Sequence, residues 1–217
     1  MFPDELDRRP CGAMDVTCAK ELLLVDQMVS KESLRKTAAQ ARRLLADKDR
    51  ISKLATDQLL AMPQYAQARR VMWYVDVRDE LRTRDALQRV LVGDQQIAVP
   101  YCVGQQIRLC RLDQMQDLAV GAFGILEPRQ QLRGQIDRNV SPNELDLVVV
   151  PGVAFDRRGG RLGHGHGFYD RLLADVADRT VLVGLAFQCQ VVNAVPTADH
   201  DVSMDWLVTE TQVVRCG

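Results

Sequence analysis

Between residues 148 and 173 the chain reads VVVPGVAFDRRGGRLGHGHGFYDRLL: Gly163, Gly165 and Gly167 alternate with His164 and His166, and the run ends on an acid, Asp170, and a base, Arg171. Glycine has no Cβ, so such a backbone can take positive φ and turn several N–H groups toward one anion. Arg161 and Arg171 frame the loop with permanent cations. A phosphate group suits such a place, although clustered glycines can also do no more than make a turn. Neither of two familiar phosphate loops fits the spacing. A P-loop follows its last glycine with Lys and Ser or Thr, where this chain has Phe168 and Tyr169. A dinucleotide fingerprint needs GxGxxG and an acid after the next strand, but here the spacing is GxGxG and TVLVGLAF ends in Phe187.

Histidine supplies a competing chemistry. His164 and His166 form HxH, and with His200 or an acid they could make a zinc site, hence a metal-dependent hydrolase. Glycine neighbours orient imidazoles poorly, and no acid stands ready to fix either ring.

The elements that must position these groups alternate between helical and extended patterns. KESLRKTAAQARRLLADKD (31–49) is rich in helix formers, has Ser30 as an N-cap, and sets Leu34, Ala38, Ala41 and Leu45 on one side. DRISKLATDQLLAM repeats that pattern until Pro63 stops it. RVMWYVDV (70–77) then reads as a buried strand, TRDALQRVLV as a helix ending at Gly93, and QQIAVPYC and IRLCRL as strands. After the turn-rich GAFGILEP, LDLVVVP (145–151) is the strongest strand signal. FYDRLLADVA is the helix beyond the glycine loop, TVLVGLAF (180–187) a further strand, and MDWLVTE (204–210) the last. Apolar strands separated by helices predict an α/β fold: one three-layer domain with a largely parallel central sheet flanked by helices. The glycine loop then runs from the carboxyl end of a central strand into a helix, which is where open α/β sheets bind ligands.

Composition narrows the setting. The 217 residues are 47% hydrophobic and 26% charged, enough for one good core, and the net charge of −1 gives no support for binding nucleic acid or an anionic membrane. The six cysteines have no CxxC or zinc-knuckle spacing and read as reduced thiols. Residues 1–30 show no basic leader followed by a long apolar run, so a cytoplasmic protein is expected. That segment, which includes DVTCAKELLLVDQMVS, is expected to form an N-terminal extension with an extra helix before a main domain over 31–217.

PGVAFDRRGGRLGHGHGFYDR resembles the signature of the 5-formyltetrahydrofolate cyclo-ligases, also called 5,10-methenyltetrahydrofolate synthetases. Weaker echoes lie in KESLR (31–35), YVDVRDELRT (74–83), FGILEP (123–128) and VPTADHDVSMDWLVTE (195–210). The resemblance implies ATP-driven ring closure, in which the formyl oxygen on N5 of the reduced folate is phosphorylated and N10 then attacks the activated carbon. By that resemblance Lys31 and Arg35 bind ATP, together with the loop Arg161, Leu162, Gly163, His164, Gly165, His166, Gly167, Phe168 and Tyr169. The folate falls to Val75 and Glu80 and to residues 164–168 of the same loop, and magnesium to Asp170 and Asp201. Lys31, Arg161 and Asp170 carry the catalytic roles. The family varies at the positions of His164 and His166, and some members place a lysine at the second, so this loop has less permanent charge than theirs. A monomer acting on a reduced folate, with no nucleic-acid or membrane partner, is the expectation. The rivals are a sugar-phosphate isomerase or transferase of similar fold, and a non-catalytic homologue binding a nucleotide or RNA. Neither would need the full set of Lys31, Arg35, Glu80, Arg161 and Asp170.

Overall fold

The computed structural model describes residues 30–121, 124–198 and 201–217, so the helix expected within the N-terminal extension lies outside the described residues. Helix α1 (Lys31–Leu44) starts where expected, with the Ser30 Oγ accepting a hydrogen bond from the Ser33 N–H at 3.1 Å. It buries Leu34, Ala38 and Arg42. Helix α2 (Lys48–Leu60) ends before Pro63, which opens a separate short helix, α3 (Pro63–Gln67). Proline at N1 lacks only a donor that would be unpaired there anyway, so the residue read as a terminator also initiates.

Strand β1 (Arg70–Met72) is followed by α4 (Arg84–Val90), and then by β2 (Gln96–Val103) and β3 (Gln106–Leu112). An excursion carries a small hairpin, β4 (Leu118–Val120) with β5 (Leu126–Pro128), before the short β6 (Asn139–Val140). Next come β7 (Leu147–Val150), a second hairpin of β8 (Ala154–Asp156) and β9 (Arg161–Leu162), and α5 (Phe168–Ala174). Strands β10 (Val181–Leu185), β11 (Val191–Val192), β12 (Trp206–Val208) and β13 (Val213–Arg215) complete the chain.

The main sheet runs β13-β12-β10-β7-β1-β2-β3-β6. Its centre, from β12 to β2, is parallel, and both edges are antiparallel. Two-residue alternation assigns the faces. Val71, Ile97, Val149 and Val183 pack with Ala55, Leu59 and Leu87 of α2 and α4. Met72, Ala98, Val148 and Leu182 pack with Leu172 and Leu173 of α5. The three-layer α/β expectation is therefore met.

Two sequence readings are corrected. MDWLVTE is not the last strand, because β13 turns back to pair antiparallel with β12. RVMWYVDV is a strand only as far as Met72, although Trp73, Tyr74, Val75 and Asp76 remain buried. Past Trp73, whose N–H still reaches the Ala98 carbonyl at 2.9 Å, the backbone is held by local side chains instead of a neighbouring strand. Thr83 Oγ1 donates to the Tyr74 carbonyl at 2.9 Å, and Asp76 Oδ1 accepts from the Thr83 N–H at 3.0 Å. Residues 74–83 thus form a closed loop.

Gly184 in β10 faces the ring of the buried Phe155, and a Cβ there would lie 2.7 Å from a ring carbon. Gly184→Ala should lower stability by about 1–3 kcal/mol, read as a lower urea midpoint. An unchanged midpoint would mean that the ring can retreat.

Candidate active site

Where β7 ends, the chain crosses Pro151 and Gly152, makes the β8/β9 hairpin, and only then enters the glycine loop and α5. This hairpin separates the loop from the central strand that the sequence pattern had joined to it directly. A buried carboxylate fixes the hairpin. Asp156 accepts from the Arg158 N–H at 2.9 Å and the Gly160 N–H at 3.0 Å within the turn, and from the distant Val195 N–H at 2.7 Å. Gln190 adds a second tie, donating through Nε2 to the carbonyls of Gly152 and Val153. The segment leading to Asp201 is therefore laced to the base of the loop.

Helix α1 packs on the outer side of this hairpin through Leu34 and Ala38, which meet Val153, Ala154 and Leu162. That contact points the start of the helix at the loop. Arg35 Nε donates to the Gly163 carbonyl at 2.9 Å. Gly165 and Gly167 take φ of 96° and 64°, as the alternation suggested, while Gly163 does not enter that region. At Gly165 the Arg35 guanidinium also closes in, 3.3 Å from where a Cβ would stand.

The result is a cavity of about 370 Å³, bordered by the loop, the start of α1, the closed loop at Glu80 and the β2/β3 hairpin. Lys31, Arg35, Glu80, Arg161, Asp170, Asp201 and every residue from Leu162 to Tyr169 line it. Of the residues that the resemblance assigns to ATP, folate or metal, Val75 is the one that does not; it is buried in the core beneath Glu80's loop. Arg171 also stays outside the wall, donating to the carbonyls of Gln105 and His166 while its guanidinium lies 5.2 Å from the Phe168 ring centroid. It props the loop from behind. The β2/β3 wall, with Cys102 and Ile107, escaped the sequence reading, as did Pro151 and Gly152. The VGQQ turn between two strand signals was the available clue to that hairpin.

The charges in the cavity are already engaged with one another. Arg161, whose side chain is 3% exposed, donates through Nη2 to Asp170 Oδ1, while its Nε is enclosed without a hydrogen-bond partner. Its guanidinium lies 5.7 Å from the Tyr169 ring centroid. Lys31 Nζ pairs with Asp201 Oδ2 at 2.9 Å, and that oxygen also accepts from the Ala198 N–H. Glu80 Oε2 accepts from the Val77 N–H at 3.1 Å, and Oε1 stands 3.8 Å from His164 Nε2 across the cavity.

The histidines go separate ways. His164 faces Glu80, His166 sits edge-on to Phe168 with centroids 6.2 Å apart, and His200 lies outside the described residues. Burial, and next the charge of Glu80, pushes the Tyr169 hydroxyl far above the usual tyrosine range. It therefore stays protonated, a donor throughout the neutral range. Burial likewise raises the Cys102 thiol, reinforced by Glu127.

Fold and cavity together define an α/β protein with a pocket at the carboxyl end of its parallel sheet, lined by cations, paired carboxylates and the glycine loop. The 5-formyltetrahydrofolate cyclo-ligase family model matches residues 27–210, and the chain belongs to that family. Over 154 residues it is 32% identical to the 5-formyltetrahydrofolate cyclo-ligase of Haemophilus influenzae, covering 69% of this chain and 80% of that protein. The Mus musculus cyclo-ligase is 26% identical over 193 residues, with 83% of this chain and 94% of that one covered. Among solved structures, the 5,10-methenyltetrahydrofolate synthetase of Aquifex aeolicus superposes with a TM-score of 0.74 at 35% identity, covering 87% of this chain and 93% of that chain. The Mycoplasma pneumoniae synthetase shares the fold at TM-score 0.66 and 19% identity, covering 83% of this chain and 99% of that one.

Removing the Asp156 carboxylate strands three N–H groups in two loops. Asp156→Ala should cost about 2–4 kcal/mol and speed amide hydrogen exchange at Gly160 and Val195 together. Unchanged protection at Val195 would show that the two loops are not tied through this side chain.

Proposed function

We propose that this chain converts 5-formyltetrahydrofolate to 5,10-methenyltetrahydrofolate, driven by ATP cleavage to ADP and phosphate. The observation that carries this reading is convergence: Lys31, Arg35, Glu80, Arg161 and Asp170, from separate parts of the chain, border one cavity with the glycine loop. Its volume falls within the roughly 300–1,000 Å³ usual for small-molecule sites.

In this reading Lys31 and Arg35 take the polyphosphate, with the main-chain amides of residues 163–167 turned toward it. Phosphoryl transfer to the formyl oxygen spreads negative charge over the transferring group, and catalysis of such steps is mostly positioning and countercharge. Arg161 meets that demand, because a guanidinium almost removed from water acts on nearby charge with little screening. Glu80 offers a carboxylate to the hydrogen-bond donors of the pterin, and the Tyr169 hydroxyl offers a donor to its acceptors. With the folate held, N10 attacks the activated carbon and gives up its proton to solvent, the carbon–oxygen bond to the phosphorylated oxygen breaks, and phosphate leaves.

Asp170 and Asp201 are hard oxygen donors facing the same cavity, which fits a magnesium ion that also uses phosphate oxygens. When bound there, the ion would neutralise charge on those oxygens. The enzyme is proposed to work as a cytoplasmic monomer. The thiols Cys102, Cys110, Cys189 and Cys216, unpaired among the described residues, support a reducing compartment. No described helix is long and apolar enough to cross a membrane.

Purified protein mixed with 5-formyltetrahydrofolate and MgATP should generate the near-ultraviolet absorbance of the methenyl product. Arg161→Ala should lower kcat by about 100- to 1,000-fold. Turnover within threefold of the parent would remove Arg161 from the chemistry, and no product from the parent would end the reading.

A further inference from the structure

A second cavity, of about 750 Å³, is bordered by helix α2, the start of α4 and the closed loop 74–83. It shares no lining residue with the first. Every described residue that borders it is polar or charged, so a ligand that fills it must offer hydrogen bonds and charge in return. We propose that this cavity is a second ligand site, for a phosphate group carried by a small polar molecule, with Arg82, Arg84 and Ser52 as its donors.

The buried carboxylate of Asp76 gathers the two arginines without satisfying them. Its side chain is 1% exposed, and the guanidinium groups of Arg82 and Arg84 approach it to 3.6 and 3.4 Å. Neither hydrogen-bonds to that carboxylate, whose Oδ1 already accepts from the Thr83 N–H. A guanidinium carries several N–H donors in a planar fork. Among the described residues Arg82 uses one of them, from Nη1 to the Arg78 carbonyl at 2.7 Å, and Arg84 one, from Nη2 to the Asp76 carbonyl at 3.2 Å. Each arginine is therefore held in place with most of its donors open. Two positive charges share one buried negative charge, which leaves a surplus that an anion can meet. The side chain of Ser52 is buried beside them, and its Oγ accepts from the Arg82 N–H at 2.9 Å, so its own proton is left to donate. Donors on three bearings suit the oxygens of a tetrahedral phosphate better than those of a planar carboxylate, and a guanidinium fork can take a phosphate with two bonds. Asp49, 3.7 Å from Arg82, and Asp85 also border the cavity, but they are 94% and 69% exposed, and water and salt screen their repulsion. A phosphate ion fills only a fraction of the volume, which leaves room for a polar organic body beside Lys53 and Thr56.

The test is a titration followed by the backbone amide resonances of the full chain, at fixed ionic strength, with inorganic phosphate and glycerol phosphate as probes and acetate as the control anion. The amides of Ser52, Arg82 and Thr83 should shift and saturate with both phosphate probes and respond far less to acetate. Either order of the two phosphate affinities supports the site, and the tighter probe names the free ion or an ester as its ligand. Arg84→Gln keeps a donor for the Asp76 carbonyl and leaves Arg82 beside the buried carboxylate. That variant should bind the probes about 10-fold more weakly at these amides, with any response at Gly163, Gly165 and Gly167 of the first cavity unchanged. If it does not fold, Arg82→Gln takes its place, and the titration of the parent stands without either. Shifts confined to the glycine loop, an equal response to acetate, or an unchanged affinity in a folded variant overturns the inference.

Discussion

The arrangement of the cavity depends on one buried carboxylate. Asp156 is 2% exposed and takes its hydrogen bonds from main-chain N–H groups, with the Arg158 guanidinium no closer than 3.8 Å. Those amides belong to two segments, the β8/β9 turn and the strandless stretch at Val195. The first leads through Arg161 into the glycine loop, and the second leads to Asp201. Without that tie Asp170 and Asp201 would ride on segments joined chiefly through Gln190. Loops positioned only by exposed contacts open readily, whereas a carboxylate buried on satisfied amides resists displacement, because moving it strands every donor at once. A binding loop of small residues, flexible by composition, is in this way given a rigid root.

Helix α1 needs no such device, because its placement follows from apolar packing. Leu34 and Ala38 seat it on the hairpin that Asp156 stabilises, and Arg35 then falls within reach of the Gly163 carbonyl. Lys31, one turn earlier, projects beyond the end of the contact toward Asp201. Two cations needed in the cavity are delivered by a helix whose own stability comes from its other face. The charged and apolar stripes of 31–45 thus have different jobs on different sides.

What the sequence revealed was what local chemistry determines. The β-branched run at 147–150, the Ser30 cap and the glycine alternation each act over a few residues, and each took the form that its composition suggested. The ties of Asp156 to Val195 and of Gln190 to Gly152 were not legible, because they span 39 and 38 residues. Val75 was drawn toward the cavity by its place in a motif, yet the closure of its loop turned it into the core. The strand read through Val77 failed for a related reason. Its residues are apolar and buried as a strand's should be, but main-chain pairing is decided by neighbours, and side chains satisfied that backbone instead.

That same closure explains how Glu80 can face a ligand without being free to wander. At the neck of the loop the Thr83 N–H donates to Asp76 and Thr83 Oγ1 donates to the Tyr74 carbonyl, the Tyr74 hydroxyl donates to the Leu81 carbonyl, and Glu80 itself accepts from the Val77 N–H. Asp76 is buried between Arg82 and Arg84, whose guanidinium groups approach to 3.6 and 3.4 Å and balance its charge from the far side of the loop. One oxygen of Glu80 is therefore committed to the backbone and the other to the cavity, where His164 stands opposite. A carboxylate held at one end loses little freedom when a ligand meets the other, so its hydrogen bonds contribute to affinity with little entropic offset. The glycine loop forms one wall of the cavity. The closed loop holds a fixed carboxylate on the opposite wall, so one side of the cavity is pliant by composition and the other is set by hydrogen bonds.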